Sequence, residues 1–229
     1  MKKIFTFSFL VLLIASSIYS QDLTPKVDRY NVMASIGVGY AAPMDVFRSK
    51  YYLTSEFKES YKMGLGGTID AAYPFTKSIA GRVELSFYDF MYDRDAFGTR
   101  TGYSSTSVIT GGDALVMALK LSFCAGIFKP SEKFGFYGIL GVGGYFKSSS
   151  DLKVKNNVTK YESVFPGSSN LYMGLHAGAR FAYKVSPKAS IFLESGYEIF
   201  FPSESWGKAT FQQTAEFVPI KIGVMIHTF

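Results

Sequence analysis

The sequence predicts an all-β chain: an eight-stranded antiparallel up-and-down transmembrane β-barrel, preceded by a cleaved signal peptide. Three observations carry that expectation. Apolar residues recur at every second position over long stretches, which marks strands with one apolar face. The connections between these stretches alternate between short and long, as in barrels with short turns on one side of a membrane and long loops on the other. Charged residues make up only 18% and aromatic residues 17%, against a usual charged fraction of about a quarter. That balance suits a surface that meets lipid.

The same composition excludes other classes. The single Cys can form neither an intrachain disulfide nor a zinc site built on paired cysteines. Lys and Arg are scattered, so no nucleic-acid footprint is expected. At 48% hydrophobic residues the chain is not disordered.

The N-terminus comes first. Lys2 and Lys3 precede an apolar run from Ile4 to Ile14, followed by the small residues Ala15, Ser16, Ser17 and Ser20. This is the layout of a secretory signal, with cleavage placed after Ser20. The run is too short for a helical span, which needs ~20 apolar residues. No Cys stands at the cleavage site to carry a lipid anchor. Removing residues 1–20 takes Lys2 and Lys3 and lowers the net charge from +6 to +4. The expected organisation is a signal peptide at 1–20, a periplasmic N-terminal segment at 21–28 and the barrel at 29–229.

Eight strands are expected near 29–42, 61–73, 79–91, 113–127, 134–146, 170–183, 189–201 and 216–229. The fourth alternates Leu115, Met117, Leu119, Leu121 and Phe123 with Ala118, Lys120, Ser122 and Cys124. The sixth sets Leu171, Met173, Leu175, Ala177, Ala179, Phe181 and Tyr183 against Tyr172, Gly174, His176, Gly178 and Arg180. In the seventh, Ile191, Leu193, Tyr197 and Ile199 alternate with Ser190, Glu194, Gly196 and Glu198. The eighth alternates Ile220, Ile222, Val224 and Ile226 with Lys221, Gly223 and Met225. The fifth is apolar or Gly on both faces from Phe136 to Gly143, so its register stays open. Short turns contain Pro74, Pro130 and Pro187, spaced 56 and 57 residues apart, the mark of a repeated hairpin pair. Long connections fall near 43–60, 92–112, 147–169 and 202–215. The first two of these are long enough to hide a strand each, which leaves ten strands as the alternative.

Alternation alone does not say which face meets lipid, because a soluble barrel turns its apolar face inward. The non-apolar face decides. It is rich in small residues (Gly64, Gly66, Ser86, Ala118, Ser122, Gly174, Gly178, Gly196), as a narrow interior requires. It also carries the strand charges, Lys62, Asp70, Arg82, Glu84, Lys120, Arg180, Glu194, Glu198 and Lys221. With His176 these form the expected lumenal polar network, since a buried charge is tolerated only with a partner. Eight strands enclose only enough space for side chains. Tyr40, Tyr73, Phe87, Phe123, Tyr183, Tyr197 and Phe217 lie at or near strand ends, where interfacial girdles are expected.

No catalytic, cofactor-binding or metal-ligating residue is assigned. His176 has no His-x-Ser triplet around it and reads as a network member. His227 reads as interfacial, and Cys124 as a packed lumenal thiol. Glu194 and Glu198 are about 13 Å apart along one strand face, too far for a hydrolytic pair. Gly141-Val142-Gly143-Gly144 has no following helix, so it is not a phosphate loop. Loop aromatics are the stronger functional candidates. Trp206 lies with Ser203, Glu204 and Ser205, and Tyr51, Tyr52 and Phe57 lie among Arg48, Lys50 and Lys58. They read as an adhesive surface or as packing across the barrel mouth.

The mature chain resembles the small outer-membrane β-barrel family, the OmpA/OmpX-like and opacity-type proteins. The signal peptide, the hairpin repeat, the stretch from Phe181 to Glu194 and the C-terminal strand ending in Phe229 carry the resemblance. It implies a porin-like protein of a Gram-negative-type cell envelope, with Phe229 as the assembly signal. One feature departs: Ile220, Ile222, Val224 and Ile226 are out of phase with Phe229, and a bulge would restore the phase. The implied partners are outer-membrane lipids, the barrel assembly machinery, and an extracellular ligand or host surface met through the loops. The expected role is structural, in envelope integrity, or one of surface interaction. The alternatives are a narrow channel or small-ligand-binding barrel and a lipid A-modifying enzyme.

Overall fold

A computed structural model describes residues 32–44, 61–76, 78–101, 107–126, 133–202 and 215–227. Eight strands close into an antiparallel barrel: β1 (Met33–Met44), β2 (Tyr61–Pro74), β3 (Ile79–Tyr92), β5 (Ala114–Gly126), β6 (Phe134–Ser149), β9 (Ser169–Ser186), β10 (Ala189–Pro202) and β11 (Ala215–His227). Each strand pairs with its neighbours in the chain order of the barrel, and β11 closes on β1. The expected signal peptide, the expected periplasmic segment at 21–28, Trp206, the aromatics of 51–57 and Phe229 lie outside the described residues.

Register sets the size of the barrel. Following paired residues from Ala34 through Ala71, Val83, Leu121, Val142, Leu175, Ile199 and Glu216 returns to β1 at Met44. Met44 is ten residues beyond the start, so the shear is 10. Eight strands with that shear tilt by about 41° and run on a cylinder of about 8 Å radius. The lumen of such a barrel is filled by side chains.

The alternation expected from the sequence faces outward. On β3, Val83, Leu85 and Phe87 are exposed while Arg82, Glu84, Ser86 and Tyr88 are buried. On β5, Leu119 and Leu121 are more than half exposed and Phe123 is 70% exposed. Large apolar side chains left uncovered on every strand of a closed barrel form a belt that only lipid can cover. No helix among the described residues is long and apolar enough to cross a membrane; the strands do so. The register of the fifth barrel strand is now defined: Phe136, Leu140, Val142 and Phe146 point out, and Tyr137, Ile139 and Tyr145 point in. One residue expected in the girdle is not on the outer face. Phe217 is fully buried inside, because the outward set of β11 is even-numbered. Tyr197 stays on the outer face and donates its hydroxyl to Glu216. β1 and β11 pair without a register shift as far as Met33 and His227, so no bulge occurs in the described part of that pairing.

Leu121 lies near mid-height of the belt. Leu121→Arg is expected to lower stability by about 2–4 kcal/mol, and Leu171→Arg, near the loop end, by about 0–1 kcal/mol. Urea unfolding in phospholipid vesicles measures both.

The turns at one end are tight. Thr76 Oγ1 accepts from the amides of Ser78 and Ile79 at 3.1 and 3.0 Å. At the other end two long connections fold together. A short helix, α1 (Arg94–Thr101), and β4 (Ser107–Gly111) follow β3. β7 (Leu152–Asn156) and β8 (Glu162–Phe165) follow β6. β7 pairs with both β4 and β8 in a separate three-stranded sheet. The segment 92–112 therefore does hide a strand, and 147–169 hides two. They join an outer sheet because the barrel is already closed by its eight strands.

Candidate functional site

The lumen is layered. At its middle, Asp70, Glu84, Glu194 and Glu198 meet Arg82, Lys120, Arg180 and Lys221, all buried. Strand pairing brings opposite charges side by side: Glu84 faces Lys120, and Glu194 faces both Arg180 and Lys221. Asp70 and Glu84 are also directly paired, a like-charge contact that needs cations from across the lumen.

The distances describe one continuous network. Lys120 Nζ lies 2.6 Å from Glu198 Oε1 and 2.7 Å from Glu84 Oε1. Lys221 Nζ lies 2.6 Å from Glu84 and 2.9 Å from Glu194. Arg180 donates to Glu194 at 2.6 Å, to Asp70 at 2.6 Å and to Ser35 Oγ at 2.8 Å. Its guanidinium also sits 4.1 Å from the centroid of the Phe192 ring. Arg82 reaches Asp70 at 3.0 Å and contacts Glu84 and Glu194. Four anions and four cations cancel. Neutrality matters here, because an unpaired ion out of water carries a penalty of several kcal/mol.

Apolar clusters close both ends of this layer. Toward the loops, Tyr61, Tyr88, Phe90, Tyr145, Phe200 and Phe217 pack with Val116 and four alanines. Tyr145 stacks on Phe200 at 5.1 Å, Phe217 meets Tyr88 at 5.6 Å and Phe90 at 5.5 Å, and Lys147 lies over the Tyr61 ring at 5.2 Å. Glycines make room: a side chain at Gly66 would run into the carbonyl oxygen of Phe87 and the ring of Tyr88. Toward the turns, Met33, Ala72, Ala182, Phe192 and Met225 form one cluster, and Ala80, Cys124, Tyr137 and Ile139 another. Nothing in the alternation marks these plugs. Bulky aromatics at inward positions near strand ends were the available signal.

The structure separates Lys62 from the network. Its side chain is 49% exposed at the loop-end rim, 3.1 Å from Asp95 and 3.4 Å from Asp93. The expectation of a lumenal Lys62 is corrected: a register shift between Tyr61 and Gly64 turns Tyr61 into the lumen and leaves Lys62 on the rim, where Asp95 of α1 and Asp93, just before it, supply carboxylates. The hydrogen bond to Asp95, then that to Asp93, raises its pKa above the ordinary lysine value. His176 is inside, and strand pairing supplies the serine that its local sequence lacks: Ser122 Oγ lies 2.8 Å from His176 Nε2. This serine–histidine pair is buried beneath the aromatic cluster, out of reach of a substrate.

The outer sheet is fastened to the rim. Arg94 holds both oxygens of Asp113 at 2.9 and 3.0 Å and donates to the Gly111 carbonyl at 3.1 Å. Phe97 of α1 packs on Phe165 of β8 at 6.0 Å. The ion pair is more than a third exposed on both sides, so it contributes about 0.5–1 kcal/mol. Arg94→Ala is expected to speed proteolytic cleavage within 94–113 while the barrel's urea midpoint moves little. Equal cleavage rates would refute the fastening role.

No family model and no curated protein matches the chain. Solved structures do. The chain is similar to the outer membrane protein OprG from Pseudomonas aeruginosa, with a TM-score of 0.51 and 11% identity over 87% of this chain and 96% of that one. It is also similar to Ail, the attachment invasion locus protein of Yersinia pestis, at 15% identity over 86% and 99% with a TM-score of 0.43. Neisserial surface protein A gives 14% identity over 86% and 97%, with a TM-score of 0.43.

Proposed function

We propose, for a chain that has the fold of the small outer-membrane β-barrels, that it is a non-conducting envelope protein whose work is done at its loop-end surface. One observation carries this reading: a neutral ionic layer fills the lumen between two apolar plugs. An ion entering would have to break charge pairs out of water as well as part the aromatic rings. The outer sheet supports the second half. Val108, Val164, Lys153 and Lys155 share its exposed face, and Val158 and Tyr161 stand out at the β7–β8 tip. Exposed apolar and aromatic side chains beside lysines suit contact with an extracellular ligand or host surface. The role is thus structural, in envelope integrity, or one of surface interaction. Residues 1–20 serve as the export signal, 21–28 as a short periplasmic segment, and Phe229 as the mark read by the barrel assembly machinery. The ten residues read from the sequence as a lumenal network act structurally, with Lys62 serving the rim instead.

Planar-bilayer recording of the refolded protein tests the central claim. The expected trace has no sustained conductance steps. Regular steps that persist at low protein density would replace this reading with that of a narrow channel.

A further inference from the structure

The net charge of residues 21–229 is confined to one end of the barrel. The eight lumenal ions cancel, and the segment 21–32 holds two charges of each sign. The loops, with the strand ends that carry them, hold eleven acidic and eleven basic residues. The three short turns hold Lys77, Lys129, Lys133, Lys184 and Lys188 against Glu132 alone, which is the whole excess of +4. Lys77, Lys129 and Glu132 lie outside the described residues. The other three lysines form a compact group on neighbouring strands. The carbonyl of Lys133, just before β6, accepts from the Lys184 amide at 2.8 Å. Lys184 lies near the end of β9, and Lys188 in the two-residue turn that joins β9 to β10. The Lys188 carbonyl accepts from the His227 amide at 2.9 Å, which ties in the end of β11. Lys133 and Lys188 are exposed, and Lys184 is half-buried. Charges this close lie within a Debye length of one another, so their fields add.

Their height along the barrel decides what they meet. Phe134 follows Lys133 and Tyr183 precedes Lys184, and these two exposed rings lie 5.2 Å apart. At the β2 turn, Tyr73 and Phe75 are also exposed, 5.7 Å apart. Exposed rings at the end of an apolar belt mark the boundary between hydrocarbon and headgroups. A lysine one residue further on stands about 3 Å beyond that boundary, and its stem carries the ammonium into the phosphate layer. We propose that Lys133, Lys184 and Lys188 form a docking surface for anionic phospholipid in the leaflet at the turn end. Their ammonium groups meet the headgroup phosphates of lipids with a net negative charge, such as phosphatidylglycerol. A zwitterionic lipid also has a phosphate, but its own cation cancels the attraction at a distance. Turns that project so little reach headgroups rather than a polymer beyond the membrane. The loop end, with equal numbers of each sign, has no such bias, so the two ends of the barrel differ in lipid preference. The inference names the lipid chemistry of one end; it rests on the membrane-spanning fold and not on the sealed lumen.

The test is electron spin resonance of the full chain refolded in phosphatidylcholine bilayers that carry a trace of spin-labelled phosphatidylglycerol or spin-labelled phosphatidylcholine. At low salt, phosphatidylglycerol is expected to associate with the barrel about three- to tenfold more strongly than phosphatidylcholine. The preference should shrink at high salt. Lys133→Gln with Lys188→Gln, at two exposed positions, is expected to reduce the ratio to less than about twofold, while the gel shift still shows a folded barrel. Adding Lys184→Gln removes the rest. Lys153→Gln with Lys155→Gln, on the outer sheet, leaves the ratio unchanged. Equal association of the two lipids with the unaltered chain overturns the proposal, as does a preference that survives the triple variant or is lost in the outer-sheet variant. Loss of the preference to inorganic phosphate at constant ionic strength would identify a free-anion site and overturn the lipid assignment. Conductance steps would overturn the sealed lumen and leave these ratios standing, so the two readings fail separately.

Discussion

Glu84→Gln is expected to lower the unfolding free energy by about 3–5 kcal/mol, the usual result of removing one partner from a buried ion pair. Glu84 is fully enclosed and held by three cations: Lys120, Lys221 and Arg82 all contact it. The amide leaves four cations against three carboxylates, and its NH2 group points a donor at other donors. Between the plugs, bulk water cannot relieve the excess charge. Urea unfolding in lipid vesicles, followed by the gel shift between folded and unfolded barrel, reads the loss. The double variant Glu84→Gln with Lys120→Met restores neutrality, and it is expected to recover part of the stability. A single-variant loss below about 1 kcal/mol would mean that the layer is screened like a surface pair.

Phe217→Ala should rank beside it, at about 3–5 kcal/mol for a buried Phe cut to Ala. Phe217 is fully buried at the centre of the plug, touching Tyr88, Phe90 and Phe200. The barrel wall limits how far the neighbours can close the gap. The same variant should still show no sustained conductance, because the ionic layer and the turn-end cluster remain beneath it. Conductance from this single change would make the aromatic plug the only seal. A stability loss below about 1 kcal/mol would show that the rings repack around the gap.

The sequence was most legible where the physics is periodic. On Leu115 to Phe123 and on Ile220 to Ile226, the period of two states both that there is a strand and which residues share a face. Burial of the other face follows once the barrel closes. The acidic and basic residues of the lumen were legible for the same reason, since Asp70, Arg82, Glu84, Lys120, Arg180, Glu194, Glu198 and Lys221 share the phase opposite to the apolar set. Phase carries no height, however. Lys62 has the inward phase in the sequence, but a register shift between Tyr61 and Gly64 breaks that phase at the rim, and Phe217 has the inward phase although an interfacial place was expected. His176 illustrates a second gap: its serine, Ser122, is 54 residues away, beyond any local triplet.

By itself the sequence determined the wall: eight alternating runs, short turns against long loops, and an apolar face too extensive to be covered by water. These are local properties, set by the pleat and by the residues of each run. Only the tertiary structure decided the contents of the lumen and the outer sheet. A shear of 10 determines which inward side chains lie at equal height, and hence which carboxylate meets which cation and where the aromatic rings stack. The pairing of β4 with β7 joins residues from two separate loops, so no pattern within either loop could announce it. The reason is the same in both cases: the energy lies between strands distant in sequence, and it appears only when closure brings them together.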